Sequence, residues 1–247
     1  MLDHVPFRER AREVSRIEAF SDVVFGFALT LIVISLEVPN TYAELMHDMR
    51  GFLGFAICFA ILMWIWHAHH TFFRRYGLTD NHTLVVNTLL LFLVLYYVYP
   101  LKFIFSLVTG SIDDPGRGDA STLFIIYGLG FAGIFALFLL LYLHAYHKRH
   151  ELELNEYELH DTFTMMWMYG AYVGIGLLST AFAVFAPGRW VALAGFTYFL
   201  LGPVSAIIGV KRGYARRALH NRQVQSAQAT PNTSDTAAVP TVAGSGP

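Results

Sequence analysis

The chain has 247 residues, of which 55% are apolar and only 14% charged, with a formal net charge of −1. That balance belongs to membrane proteins rather than to soluble domains. It also excludes a nucleic-acid partner, because no basic face is large enough to follow a phosphate backbone.

Residues 1–15 are charged and polar, without the apolar core or small-residue cleavage site of a signal peptide, so no cleaved leader is expected. A span needs about 20 apolar residues to cross roughly 30 Å of hydrocarbon. Six stretches meet that requirement: 17–38, 51–73, 83–108, 121–146, 164–186 and 190–210. They predict an all-α membrane protein, a six-transmembrane-helix bundle occupying residues 1–220. Pro100, near the far end of the third span, predicts a kink or a helix stop. Pro187-Gly188-Arg189 reads as a tight turn between the fifth and sixth spans. Residues 221–247 are dominated by Ala, Thr, Ser, Pro, Gly and Gln; they cannot bury enough surface to offset their ordering entropy, which predicts a disordered C-terminal tail. The single cysteine, Cys58, has no second cysteine with which to form a disulfide.

Orientation follows from the basic residues. Of the 17 Lys and Arg, thirteen fall on the side that holds both chain ends, and only Arg50, Lys102, Arg117 and Arg189 fall on the other. The positive-inside rule then predicts cytosolic N- and C-termini, as an even number of spans requires.

The first span carries the chemistry. Ser15-x-x-Glu18 fits a capping box and accounts for Glu18. Asp22 lies six residues past Arg16, about 9 Å along a helix axis at 1.5 Å per residue, and an ionisable side chain at that depth is expected to be paired and to matter. Its simplest role is to anchor the helix. Beyond it, Phe27, Leu31 and Ile34 recur on one helical face with Thr30 beside them. Such a stripe faces lipid or a neighbouring helix, or in a symmetric oligomer forms stacked apolar rings that control ion passage by dewetting.

Histidines form a second group. His67, His69 and His70 end the second span, His82 opens the third, and His144, His147 and His150 end the fourth. His67/His70 and His144/His147 are i, i+3 pairs able to share a metal, but His-x-His-His is not the spacing of a di-iron histidine box and a third box is missing. No metal site is assigned. Val173-Gly174-Ile175-Gly176 superficially matches a potassium-selectivity filter. It sits inside a full-length apolar helix, where Gly170-x-x-x-Gly174 reads instead as a close-packing surface.

Arg16-x-x-x-Phe20-Ser21-Asp22 followed by Thr30-Leu31 resembles the first-helix signature of the transmembrane protein 175 family, lysosomal and prokaryotic potassium channels unrelated to the filter-loop type. Trp66 and His69-His70 with Phe73 resemble its second-helix pattern, and Asn87-x-Leu89-x-Leu91-Phe92 with Pro100 downstream is similar to its third helix. The resemblance covers about the first 110 residues; the later helices match in number and hydropathy.

The resemblance implies a potassium-preferring cation channel in a prokaryotic cell membrane, not an enzyme. Its partners would be the lipid bilayer and monovalent cations, with no cofactor beyond permeant K+. It implies a pore lined by the first helix, with the narrowest ring at Phe27, where Ile or Leu is usual in the family. Thr30 would follow, with further apolar layers at Leu31 and Ile34. Arg16, Phe20, Ser21 and Asp22 would belong to a network tying that helix to the second and third, with His70 and Asn87 as partners. Family members from animals carry two such repeats per chain; this chain has one, which implies a homotetramer. The alternative reading is a proton-coupled transporter or proton leak using Asp22 and the cytosolic-side histidines.

Overall fold

The computed structural model describes residues 7–11, 13–34, 41–108, 117–185 and 192–214. The helices are α1 (Arg16–Ile34), α2 (Tyr42–Tyr76), α3 (Asn81–Val108), α4 (Arg117–His147) and α5 (Glu156–Phe185). A short α6 (Ala192–Phe196) passes through a 3₁₀ turn at Thr197–Leu200, after which residues 201–214 are again helical. No strand occurs among the described residues. Five helical segments among them are long and apolar enough to cross a membrane: Phe52–Tyr76, Asn81–Leu101, Ser121–His147, Glu156–Phe185 and Leu193–Tyr214. The protein is an all-α integral membrane protein. The remaining long helix, α1, has 19 residues, about 28 Å at the α-helical rise, and carries Arg16, Glu18 and Asp22 in its first two turns.

Several boundaries differ from the sequence expectation for local reasons. Helix α2 begins at Tyr42 rather than at 51, because Tyr42–Arg50 contains Ala, Glu, Leu and Met and no Gly or Pro to stop it. Helix α5 begins at Glu156 because Asn155 caps it. The Asn155 Oδ1 accepts the Glu158 N–H at 2.9 Å, and the Glu158 carboxylate accepts the Asn155 N–H at 3.2 Å, a reciprocal capping box. Pro100 does not stop α3, which continues to Val108. The expected turn at Pro187-Gly188-Arg189 and the expected tail at 221–247 lie outside the described residues.

Helices α4 and α5 make the most extensive helix pair, and glycine is what lets them meet. A Cβ on Gly128 would stand 2.2 Å from Thr180 Oγ1 and 2.9 Å from the Gly176 carbonyl, and a Cβ on Gly176 would stand 2.9 Å from the Gly128 carbonyl. The close-packing surface therefore belongs to Gly128 and Gly176, not to Gly170-x-x-x-Gly174, where a Cβ would meet nothing within 4 Å. Around this pair a buried aromatic column runs through Phe72, Tyr76, Phe135, Phe138, Tyr142 and Tyr169. The Tyr76 hydroxyl donates to Thr162 Oγ1 at 2.6 Å, and Thr162 donates in turn to the Glu158 carbonyl at 2.6 Å.

The segment ahead of α1 is folded back onto the same end of the bundle. The Arg10 N–H donates to the Arg74 carbonyl at 3.2 Å, and Phe7 packs edge-on against Tyr76, with the Arg75 guanidinium 4.9 Å from its ring centroid. Arg8 and Arg10 both reach Glu158, which is 1% exposed, Arg10 at 2.6 Å. The contact raises the Arg8 pKa, through its hydrogen bond and attraction to Glu158. Gly77, at φ +60°, turns the chain between α2 and α3 in a backbone conformation that favours glycine. The chain divides after Ile208 into two units, and the second is described only at its helical residues 209–214.

Candidate functional site

Helix α1 starts where Ser15 caps it: Ser15 Oγ accepts the Glu18 N–H at 3.2 Å. The Glu18 side chain does not close the capping box. It is buried, with Oε1 3.4 Å from His70 Nδ1 on α2. Four residues further on, Asp22 Oδ1 accepts the indole N–H of Trp66 at 2.8 Å, and the Trp66 and His70 rings stack with centroids 5.4 Å apart. Two carboxylates of α1 therefore face two neighbouring rings of α2.

Ser21 turns to α3. Its hydroxyl donates to the Ile17 carbonyl at 2.7 Å, so its oxygen is left to accept the Asn87 amide N–H at 3.0 Å. With its amide nitrogen donating, Asn87 offers Oδ1 as acceptor, and His69 Nε2 lies 2.8 Å from it. The direction of the chain fixes the tautomer: Nε2 of His69 carries the proton. His69 is fully buried between Phe25 and Phe73, with ring centroids 5.5 Å and 4.6 Å away. Glu18, Ser21, Asp22 and Phe25 stand at i, i+3, i+4 and i+7, one stripe of the helix, and Ala28 and Ile32 extend its buried side.

The other face of α1 has no neighbour among the described residues. Phe20 is 64% exposed, Phe27 63% and Leu31 44%. The Thr30 hydroxyl, on the same side, donates to its own helix at the Phe27 carbonyl, 2.8 Å away. The side chain of Ile34 lies outside the described residues. Helix α1 packs against α2 and α3, so its exposed face looks out from the edge of the bundle.

Of the residues expected to anchor α1, the structure brings Ser21 and Asn87 into direct contact and places Asp22 and His70 beside them with different partners. Asp22 bonds to Trp66, His70 faces Glu18, and the histidine on Asn87 is His69. Arg16 and Phe20 are exposed, and Arg16 makes no hydrogen bond to a described residue. Sequence reasoning missed Glu18, Trp66 and His69 as participants. Trp66 carried a readable signal, because an indole N–H inside a membrane helix needs an acceptor and α1 supplies a carboxylate at matching depth.

His144 and His147, at the end of α4, engage different partners. His144 Nε2 lies 2.9 Å from Asp80 Oδ2, and its ring stacks on His82 with centroids 4.2 Å apart. His147 bonds within its own helix to the Leu143 carbonyl at 2.7 Å. Asp80 also caps α3, accepting the Thr83 hydroxyl at 2.8 Å. Burial pushes the Asp80 carboxyl up, but the hydrogen bonds from Thr83 and His144, with the nearby His144 and Lys148 charges, outweigh it and hold the pKa at about 2. Among the described residues no three His, Cys, Asp or Glu side chains converge on a metal-sized site.

Several proteins similar to this chain are described as potassium channels. The family model described as the endosomal/lysosomal potassium channel TMEM175 matches residues 16–97, the stretch that contains α1, the Trp66–His70 segment and Asn87. A potassium channel of Marivirga tractuosa is 38% identical over 220 residues, covering 82% of this chain and 89% of that relative. A potassium channel of Chamaesiphon minutus is 35% identical over 96 residues, 36% of this chain and 47% of its own. Among solved structures, a variant of the potassium channel MtTMEM175 bound to a nanobody fusion superposes with a TM-score of 0.73 at 36% identity, covering 85% of this chain and 98% of the other. A lysosomal potassium-selective channel TMEM175 homolog from Chamaesiphon minutus gives 0.54 at 27% identity, covering 80% and 96%.

Proposed function

This chain belongs to the TMEM175 family of potassium channels, and from that premise we propose that it conducts potassium in preference to sodium, through a pore lined by α1 and shared by four copies of the chain. The observation that carries the reading is the division of α1 into two faces. One face spends its polar groups on α2 and α3, at Glu18, Ser21 and Asp22. The other presents Phe20, Phe27 and Leu31 outward, and its Thr30 hydroxyl is already bonded to the helix. A helix held on one side by hydrogen bonds and bare on the other is suited to facing its own symmetry copies.

In the assembly Phe27 forms the narrowest ring, with Leu31 and Ile34 as further apolar layers, and these rings gate by excluding water. A closed cyclic tetramer completes a path that one chain with α1 at its edge does not enclose. With α1 as a sixth span, both termini lie in the cytosol, on the side where Arg8, Arg10, Arg74 and Arg75 gather. Few coordinating oxygens line such a path, so potassium selectivity is weaker than that of a carbonyl filter. The test is potassium and sodium flux into liposomes containing the purified protein, alongside the mass of the assembled particle. Potassium-preferring flux from a four-chain particle supports the reading; a folded protein that passes neither ion overturns it.

A further inference from the structure

We propose that a groove between α4 and α5 holds one acyl chain of a phospholipid whose headgroup carries a primary ammonium, as phosphatidylethanolamine does. The groove measures about 570 Å³, and Leu139 and Leu143 of α4 and Phe163, Trp167 and Gly170 of α5 line it, with no charged side chain among its lining residues. Phe163 and Trp167 stand 50% and 64% exposed with ring centroids 6.2 Å apart. Space is open at Gly170, where a Cβ would meet nothing within 4 Å. No residue of α1 takes part, so the site is separate from the proposed pore and stands whether or not that reading holds.

Position selects the chain, and charge selects the headgroup. Both helices carry membrane-spanning segments, one closing at His147 and the other opening at Glu156, so these two residues mark the headgroup level. Phe163 lies about 10 Å inward of Glu156, and Ala171, also in the lining, about 22 Å inward at the α-helical rise. The groove therefore runs through the depth of the acyl chains. Its walls continue outward to the headgroup level. Leu139, Leu143 and His147 are spaced i, i+4, i+8, and Glu156, Phe163, Trp167 and Gly170 are spaced i, i+7, i+11, i+14, each a single helical stripe. His147 and Glu156 are both exposed. The His147 Nδ1–H donates to the Leu143 carbonyl at 2.7 Å, which leaves Nε2 of the neutral ring as an acceptor, and Glu156 adds a carboxylate. A primary ammonium offers three N–H donors to these acceptors. The trimethylated ammonium of phosphatidylcholine offers none, and phosphatidylglycerol has no cation. Lys148 and Arg149, which directly follow His147, supply the donors for the lipid phosphate.

The test is native mass spectrometry of the delipidated full-length protein given equal amounts of phosphatidylethanolamine, phosphatidylcholine and phosphatidylglycerol with identical acyl chains. One phosphatidylethanolamine retained per chain is expected, favoured about two- to fivefold over either competitor, the scale of an exposed charge pair. Glu156→Gln is expected to bring the three lipids to equal retention. Gly170→Leu, which fills open space in the groove, is expected to abolish retention of the bound lipid. Thermal midpoints show that each variant is folded, and Glu156→Gln, at an exposed position, carries the test if Gly170→Leu fails to fold. Equal retention of the three lipids by the unaltered protein, a preference for another headgroup, or a preference that survives Glu156→Gln overturns the proposal. So does an assembled particle that loses chains in Gly170→Leu, which would give the groove to a neighbouring copy of the chain.

Discussion

Trp66 on α2 donates its indole N–H to the carboxylate of Asp22 on α1 at 2.8 Å, so the acidic residue deepest in the first helix has a fixed donor from the second. Removing either partner is not equivalent. Trp66→Phe leaves a carboxylate oxygen in the bundle without its donor, whereas Asp22→Asn keeps an oxygen that can still accept. Interhelical hydrogen bonds in membranes contribute about 0.6 to 2 kcal/mol. Trp66→Phe is therefore expected to lower the thermal midpoint of the purified protein by several degrees, and Asp22→Asn by less. Flux measured in parallel separates an anchor from a proton carrier: a folded Asp22→Asn protein with its proton flux abolished would make Asp22 a carrier.

Ser21, Asn87 and His69 form a directional chain in which each bond fixes the next. Asn87→Leu breaks two bonds at once and strands both His69 Nε2 and the Ser21 oxygen, a loss of about 1 to 3 kcal/mol. Ser21→Ala removes one of the same two bonds. The double variant is therefore expected to be more stable than the sum of the single losses predicts, with a coupling of at least about 0.5 kcal/mol. Denaturation of the four proteins in one detergent measures that coupling, and strict additivity would disconnect the two residues.

Phe27 projects from the exposed face of α1. If its ring closes the path, Phe27→Ala is expected to raise potassium flux severalfold by admitting water to the constriction, while leaving the anchoring bonds intact. Flux into liposomes at matched protein density checks this, and an unchanged rate would remove Phe27 from the path.

Asp80 ties the start of α3 to His144 on α4 and is held at about 2 against an ordinary 3.8. Because the folded pKa is depressed, the stabilisation is fully present above about pH 4 and is lost as pH falls through about 2. The gap in thermal midpoint between the wild type and Asp80→Asn is therefore expected to narrow as pH falls below about 4. A gap independent of pH would mean that the carboxylate charge does not contribute.

At the α4–α5 crossing, Gly176→Val places a branched side chain against the Gly128 carbonyl, which a Cβ alone would approach to 2.9 Å. Backbone cannot yield there as a side chain would, so a loss of about 2 kcal/mol or more is expected. Gly174→Ala, with open space around it, is expected to be neutral. Comparison of the two thermal midpoints is the check.

Much of this architecture was legible in the residues themselves. Long apolar runs announced the membrane class, and the Arg16-x-x-x-Phe20-Ser21-Asp22 stretch pointed to the helix that meets α2 and α3 through polar groups. The choice between His69 and His70 was not legible. Adjacent residues on a helix point about 100° apart, and nothing in the sequence sets the rotation of α2 about its axis. Glu18 was hidden by a sufficient local explanation, since a capping box would have occupied the carboxylate that in fact turns to His70. The misplaced glycine surface has a similar cause. Gly170 and Gly174 have the spacing of a contact, but whether a helix lies opposite depends on which side of α5 faces α4, and that side holds Gly176.

The hydrogen bonds that hold α1 to its neighbours are crowded between Glu18 and Asp22, and past that point Phe25, Ala28 and Ile32 supply apolar contact. Mechanically this makes α1 a cantilever, clamped at one end by directional bonds and resting along the remainder on a surface that tolerates sliding. Phe27 and Leu31 stand about 7.5 and 13.5 Å beyond the clamp at the α-helical rise. A tilt of about 10° about Asp22 therefore carries them roughly 1.3 and 2.3 Å. The lever arm lengthens along the helix, so the side chain farthest from the clamp swings most for the smallest turn at the root.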